Sequence, residues 1–263
     1  FAGGKGLNQS IAAAKAGATV FHAGNIGADG KMLRDIMKES GVDDTYLKDT
    51  DVKNGHAIIQ VSKSGENCIV LYPGSNFMLT EEYIDSVLDN FCAGDILLLQ
   101  NETNLVGYIV DKAYARGMQV VLNPSPFNDA LKAIDFSKLS YIILNEVEAC
   151  AFTGFEKAED SIAYIKKNYP ALKVMLTLGK NGCVYADCDN YLTQPIFPVK
   201  AVDTTAAGDT FTGYFLAAVA SGESYSNAIK MASAASAIAV SRNGAAPSIP
   251  YKNEVEEFLK NYD

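Results

Sequence analysis

Along much of the chain, short apolar runs end on polar residues, and the segments between them repeat apolar positions at helical spacing. Leu97-Leu98-Leu99, Val120-Val121-Leu122, Ile142-Ile143-Leu144 and Val174-Met175-Leu176 are apolar at every position. Such runs predict parallel strands covered on both faces, here Asp95–Leu99, Gln119–Leu122, Tyr141–Leu144 and Lys173–Thr177. Helices are expected over Thr80–Asn90, Leu105–Arg116, Glu146–Thr153 and Lys157–Asn168, a βα alternation of the layered α/β class. The front of the chain predicts a helix over Leu7–Gly17, with Leu7, Ile11 and Ala14 on one face. A strand over Ala18–Ala23 and a helix over Asp29–Ser40, closed by Gly41, follow. Gly24-Asn25-Ile26-Gly27 would then lie at a strand end.

Two stretches break the rhythm. Ala57–Val61 and Asn67–Tyr72 read as strands joined by the polar turn Ser62–Glu66. This inserted hairpin is either a lid over a crevice or a surface decoration. Pro73-Gly74-Ser75-Asn76 is a turn back to the main body. Gly182–Phe197 reads as short strands around the turn Asp187–Asn190, expected at an antiparallel sheet edge. Near the end, Ser224–Val240 is an Ala- and Ser-rich helix, Ser241–Pro250 an irregular loop and Asn253–Asn261 an acidic closing helix. The expected organisation is residues 1–54 and 73–263 as one α/β body, with 55–72 as the insertion.

The stretch Ala201 to Gly213 organises the rest. The chain before it reads as extended from Gln194 to Val202, and a small-residue helix follows from Asp209 to Ala220. Between them lie Ala206-Ala207-Gly208. A strand feeding a helix start with almost no side chain in the way leaves amides and the helix dipole open to an anion. Asp209 falls in the first turn beside that anion site. A carboxylate there repels a phosphate unless it takes a proton from a hydroxyl attacking the phosphorus. The plainer alternative is a helix cap.

Composition narrows the classes. With 263 residues, 48% apolar and 20% charged, the chain suits one large α/β domain. A net charge of -9 argues against a nucleic-acid partner. There is no run of eighteen apolar residues and no signal-peptide pattern, so a soluble, cytoplasmic protein is expected. Five scattered cysteines without metal-ligand spacing fit a reducing compartment.

Polar clusters stand at five strand ends: Gln100-Asn101-Glu102, Asn123-Pro124-Ser125-Pro126, Asn145-Glu146-Val147-Glu148, Thr177-Leu178-Gly179 and Asp203. In a parallel sheet these share one rim, where ligands gather. Any one of them alone is an ordinary cap or loop. Neither Gly-x-x-x-x-Gly-Lys-Ser/Thr nor Gly-x-Gly-x-x-Gly occurs where it would bind a nucleotide, which argues against a dinucleotide oxidoreductase.

Gly3-Gly4-Lys5-Gly6-Leu7-Asn8-Gln9 and Asp203-Thr204-Thr205-Ala206-Ala207-Gly208-Asp209-Thr210-Phe211 resemble the two signatures of the ribokinase-like (PfkB) carbohydrate kinases. Asn145-Glu146-Val147-Glu148 stands between them, and Arg242–Pro250 resembles the family's tail. The resemblance spans the whole chain. It implies a three-layer α/β/α sandwich with a small β lid and ATP-dependent phosphorylation of a sugar hydroxymethyl group, D-ribose to ribose 5-phosphate being the leading case. Deoxyribose, fructose, a keto-deoxy sugar acid or a nucleoside are alternative substrates, and a non-catalytic binding protein is the alternative of another class.

By the same resemblance Asp209 is the base, and the amides of Ala206, Ala207 and Gly208 are the anion hole. Gly3, Gly4 and Asn8 bind sugar hydroxyls, with Glu102 orienting the ring. Asn145 and Glu148 position Mg²⁺ and phosphates. Thr177, Gly179, Gly208 and Ser233, within the Ala232–Ser236 face, line the nucleotide site. Asp203, Thr205, Ala239, Arg242, Gly244 and Ser248 form a K⁺ loop, several through carbonyls. Lys5 is a structural or phosphate-adjacent charge. The lid implies a homodimer. The family also carries a strand and an acidic sugar ligand ahead of the Gly-Gly motif, so an N-terminal strand is expected to be missing before Phe1.

Overall fold

The computed structural model describes residues 2–61 and 67–262. In chain order the elements are α1 (Lys5–Lys15), β1 (Gly24–Gly27), α2 (Lys31–Glu39), β2 (Leu47–Thr50), β3 (His56–Val61), β4 (Asn67–Tyr72) and α3 (Glu81–Leu88). Then come β5 (Ile96–Gln100), α4 (Val106–Ala115), β6 (Gln119–Asn123), β7 (Tyr141–Asn145), α5 (Glu146–Thr153) and α6 (Ala158–Asn168). The chain closes with β8 (Lys173–Thr177), β9 (Cys183–Ala186), β10 (Tyr191–Gln194), α7 (Ala207–Ala220), α8 (Tyr225–Val240) and α9 (Lys252–Leu259).

Six strands form the central sheet in the order β10-β9-β8-β7-β6-β5. The four strands β5 to β8 run parallel, while β9 and β10 add an antiparallel edge. Apolar residues alternate between two cores, as a pleat of period two requires. Val121, Tyr141, Ile143, Met175 and Tyr185 face α1, α7, α8 and α9. Val120, Leu122, Ile142, Leu144, Val174 and Leu176 face α3 to α6. The strands are apolar at every position because each face has its own helix layer.

The front of the chain differs from its sequence reading. No strand spans Ala18–Ala23; only Phe21 makes an isolated bridge, to Asp43. The strand is β1, the Gly-Asn-Ile-Gly segment itself, paired in parallel with β2 in a separate two-stranded sheet. Tyr83 of α3 donates its hydroxyl to the Tyr46 carbonyl at 2.6 Å, and Phe21, Tyr46 and Phe91 cluster with ring centroids 5.5 to 5.8 Å apart. Aromatic packing therefore fixes a segment whose glycines give it little strand propensity. Gln194–Val202 is likewise not one strand. Pairing stops at Gln194, two prolines follow, and the Val202 amide bonds the Val240 carbonyl at the end of α8 instead. The inserted hairpin is present as β3 paired with β4, and its expected turn lies outside the described residues.

Helix α7 runs through the core, with Thr210 to Ala218 all buried. Its Thr, Gly and Val residues are poor helix formers, so packing rather than propensity holds it. Ser221-Gly222 ends it, with Gly222 left-handed at φ 82°. Against it lies α1. A Cβ on Gly213 would stand 2.6 Å from the Ala13 nitrogen and 2.8 Å from the Gln9 carbonyl oxygen. Both are backbone atoms, so neither can yield cheaply. Gly213→Ala is expected to lower stability by about 1–3 kcal/mol, read as a reduced urea midpoint. An unchanged midpoint would show that the helices separate freely.

Candidate active site

The first turn of α7 sets the geometry. Ala206 precedes it in the left-handed region at φ 60°, without a side-chain cap. The first intrahelical bond runs from the Thr210 amide to the Ala206 carbonyl at 2.8 Å. The amides of Gly208 and Asp209 come before that bond and so have no acceptor within the helix. Ala207 differs from the rest of the expected trio: its amide reaches the Thr204 carbonyl at 3.3 Å. A Cβ on Gly208 would meet nothing within 4 Å, so its backbone is open to a ligand.

Asp209 is held from α1. Its Oδ2 accepts from Asn8 Nδ2 and its Oδ1 from Gln9 Nε2, each at 2.8 Å. Burial pushes the Asp209 carboxyl above the ordinary carboxylate value. The Asn8 and Gln9 amides and the Lys5 charge pull it back down, and the Glu102 charge raises it. The residue keeps an accessible edge while its carboxylate is packed among protein atoms. With its amide nitrogen spent on Asp209, Asn8 is left with a buried Oδ1 that has no partner among the described residues. A buried acceptor without a donor is costly unless a ligand supplies one.

The strand ends meet this centre through side chains the sequence reading gave no role. Gln9 Nε2 also donates to Asn123 Oδ1 at 3.0 Å, and Gln100 Nε2 donates to Gln9 Oε1 at 2.6 Å. Asn123 Nδ2 donates to the Ile143 carbonyl at 2.9 Å. Gln9 lies inside the N-terminal motif, and Gln100 and Asn123 stand at strand ends, which is the signal the sequence offers. Glu102 is fixed by Lys5, Nζ to Oε1 2.9 Å, with both side chains about one-third exposed. That gives Lys5 a positioning contact. Gly4, at φ 121°, caps α1 in a conformation reserved for glycine. A Cβ on Gly3 would lie 3.7 Å from Ala245, which places the N-terminal motif against the tail loop.

On the far side, Asn145 and Glu148 form a reciprocal capping box at the start of α5. Asn145 Oδ1 accepts from the Glu148 amide at 2.9 Å, and Glu148 Oε2 accepts from the Asn145 amide at 3.0 Å. The box leaves Asn145 Nδ2 and Glu148 Oε1 for other partners. Thr177 Oγ1 donates to the Leu144 carbonyl at 3.2 Å. Gly179 is left-handed at φ 51°, with open space where a Cβ would be. Ser233 lies 3.9 Å from the Cys183 sulfur, and Ser236 Oγ donates to the Ala207 carbonyl at 3.1 Å, tying α8 to the start of α7.

The tail loop closes on Asp203. One of its oxygens accepts from the Thr205 amide at 2.9 Å and hydroxyl at 2.6 Å, the other from the Gly244 amide at 2.9 Å. These donors hold its carboxyl below the usual range, the Thr205 hydroxyl contributing most. Ser248 is buried and donates to the Ala245 carbonyl at 2.7 Å. The Ala239 carbonyl accepts from the Arg242 amide at 3.0 Å. The Arg242 guanidinium turns instead to Glu254, at 2.6 Å. Arg242 can therefore offer this loop only its backbone.

The model of the pfkB family carbohydrate kinases matches residues 1–252. The chain is similar to the ribokinase of Haemophilus influenzae, 38% identical over 98% of this chain and 87% of that protein. It is similar in structure to ribokinase from Cryptococcus neoformans in complex with ADP, with TM-score 0.86, 32% identity and coverage of 97% and 88% of the two chains. It is also similar to Arabidopsis thaliana ribokinase complexed with ribose and ATP, with TM-score 0.86, 27% identity and coverage of 99% and 88%.

The capping box can be separated from any role with a ligand. Asn145→Ala is expected to destabilise the protein by about 1 kcal/mol, while Asn145→Ser, which keeps an N-cap acceptor, retains most of that stability. Urea titration of the two variants checks this, and equal losses would remove the cap from the explanation.

Proposed function

The chain belongs to the pfkB family carbohydrate kinases, and on that premise we propose that it transfers the γ-phosphoryl group of ATP to the 5-hydroxyl of D-ribose. The products are D-ribose 5-phosphate and ADP. Relatives called ribokinase that align over nearly the whole chain support the substrate. The observation that carries the chemistry is Asp209, pinned by Asn8 and Gln9 at a helix start with open amides.

In this reading the sugar hydroxyl meets Asp209. As the new O–P bond forms, the bond from phosphorus to the ADP oxygen breaks and the hydroxyl proton passes to the carboxylate. A carboxyl raised by burial accepts that proton more readily than an exposed one. The amides of Gly208 and Asp209, with Ala206 and Ala207 beside them, face charge that grows on the transferred group. Asn8 Oδ1 takes a sugar hydroxyl as donor, and the Gly3-Gly4 backbone and Glu102, braced by Lys5, hold the rest of the ring.

Asn145 Nδ2, Thr177, Gly179, Gly208 and Ser233 line the nucleotide side. Glu148 Oε1 is a hard oxygen ligand that suits Mg²⁺ carried with its waters, and the ion would neutralise phosphate charge. The loop of Asp203, Thr205, Ala239, Arg242, Gly244 and Ser248 offers oxygen donors only, Arg242 through its carbonyl, and these suit K⁺. An ion there would act on the shape of the turn before α7. The β3–β4 hairpin is read as a lid. It exposes Ile58, Val70, Leu71 and Tyr72, an apolar surface that suits pairing with a second copy. Free Cys92, Cys150, Cys183 and Cys188 suit the cytoplasm, and no described helix is long and apolar enough to cross a membrane.

Asp209→Asn is expected to keep sugar binding while turnover falls roughly 10²- to 10⁴-fold, measured as ADP release beside calorimetric titration of ribose. Undiminished turnover would take the role of base away from Asp209. Across a panel of ribose, deoxyribose, fructose and a nucleoside, ribose should show the highest kcat/KM; a preference of about fivefold or more for fructose would replace ribose as substrate. Exchanging K⁺ for Li⁺ at constant ionic strength is expected to lower turnover several-fold, whereas equal rates would leave the loop without an ion.

A further inference from the structure

We propose that Gln9 is a positioning residue for the base: held in one orientation by Gln100 and Asn123, its carboxamide fixes both the direction and the protonation of Asp209. The inference rests on the reading of Asp209 as the base and adds three residues to it.

The Ile143 carbonyl can only accept, so the Asn123 group facing it must be its NH₂, and the Asn123 oxygen is turned to Gln9. That oxygen requires a donor, so Gln9 presents its Nε2. The Gln9 oxygen then falls to Gln100, whose NH₂ meets it at 2.6 Å. With its oxygen claimed, Gln9 has only N–H to offer Asp209. The orientation of a buried amide, usually ambiguous, is here set by a backbone carbonyl through Asn123. Gln9 is 1% exposed, so water does not compete for these bonds.

The anchor is strong because it replaces sheet pairing. The β6–β7 ladder ends at Leu122 opposite Ile142, and the Asn123 side chain takes up the next β7 carbonyl. Gln100 and Asn123 are themselves register partners at the ends of β5 and β6. Three adjacent strands, two of them at their ends, are thus connected through one buried amide on α1 to one carboxylate on α7.

Such a donor stabilises the charged carboxylate and opposes the effect of burial. The other charged groups acting on Asp209 are Lys5 on α1 and Glu102 after β5, of opposite sign and paired to each other. From α1 come also the neutral Asn8 and Gln9, and from the strand ends the neutral Gln100 and Asn123. On α8, Ser236 is uncharged. His22 lies beside Gly6, and burial lowers its pKa to about 4, so it stays neutral above that pH.

Titration of Asp209 in the ligand-free protein tests this, with aspartate labelled at its carboxyl carbon and the Asp209 resonance assigned by its loss in Asp209→Asn. In Gln9→Leu the midpoint is expected to move up by about one pH unit. Gln100→Leu removes the bond to the Gln9 oxygen and leaves the amide oriented by Asn123 but less firmly held, and should move the midpoint the same way by a smaller amount. Above both midpoints, Gln9→Leu should lower kcat about tenfold with the sugar KM within about threefold. A midpoint unchanged in Gln9→Leu overturns the inference, as does a joint loss of kcat and KM without a shift. If Gln9→Leu fails to fold, Gln100→Leu decides by the same midpoint. Wild-type protein that releases no ADP with any sugar would instead sink the kinase reading, a result separate from either midpoint.

Discussion

The close approach of α1 and α7 is the constraint on which the site depends. Two helices far apart in sequence share a carboxylate here because they pack closely. Gly213 permits that contact, with the Gln9 carbonyl and the Ala13 amide where a side chain would stand. One turn earlier on α7, Asp209 then faces Asn8 and Gln9. The buried apolar residues on both helices, Leu7 and Ile11 on one and Phe211 and Phe215 on the other, make the contact stable. Glycine at the crossing makes it close. Packing and chemistry are set by the same few residues.

A second theme is that groups at the rim serve as local structure as well as candidate ligands. Asn145 and Glu148 complete a capping box and still leave one nitrogen and one oxygen for other partners. Asp203 braces its own turn and the tail loop. Lys5 holds Glu102. In each case an internal bond fixes the side chain before any ligand arrives, which reduces the ordering that binding would otherwise require. The structural and functional readings of these residues are compatible because a carboxylate or carboxamide has more than one bonding site.

The central sheet was legible because β5 to β8 carry apolar residues on both faces and end on polar ones, a pattern with few alternatives. The front was not. Gly-Asn-Ile-Gly has the composition of a turn, and it is a strand because it pairs with β2, held by the Tyr83 hydroxyl and the aromatic packing around Tyr46. Gln194–Val202 looked extended and is extended in part, but its prolines leave it outside the ladder. At the site, Asp209, Asn8 and Gln9 stand in the two motifs and Glu102 at a strand end. The link from Gln9 to Gln100 and Asn123 was not legible, because neutral amides at strand ends look like ordinary caps. Their connection spans residues 91 and 114 positions apart, and sequence order carries no trace of it.

Ala206 has one further consequence. It holds a left-handed backbone with a methyl side chain, a conformation that strongly disfavours β-branched residues, admits asparagine and aspartate and suits glycine without penalty. Genetic drift at this position is therefore one-sided: exchange with glycine leaves the turn passable, whereas a branched residue would twist the peptide plane that precedes the helix. A library randomised at this codon should return a short alphabet of glycine, alanine and the small residues asparagine and aspartate, a fingerprint of backbone geometry rather than of ligand contact.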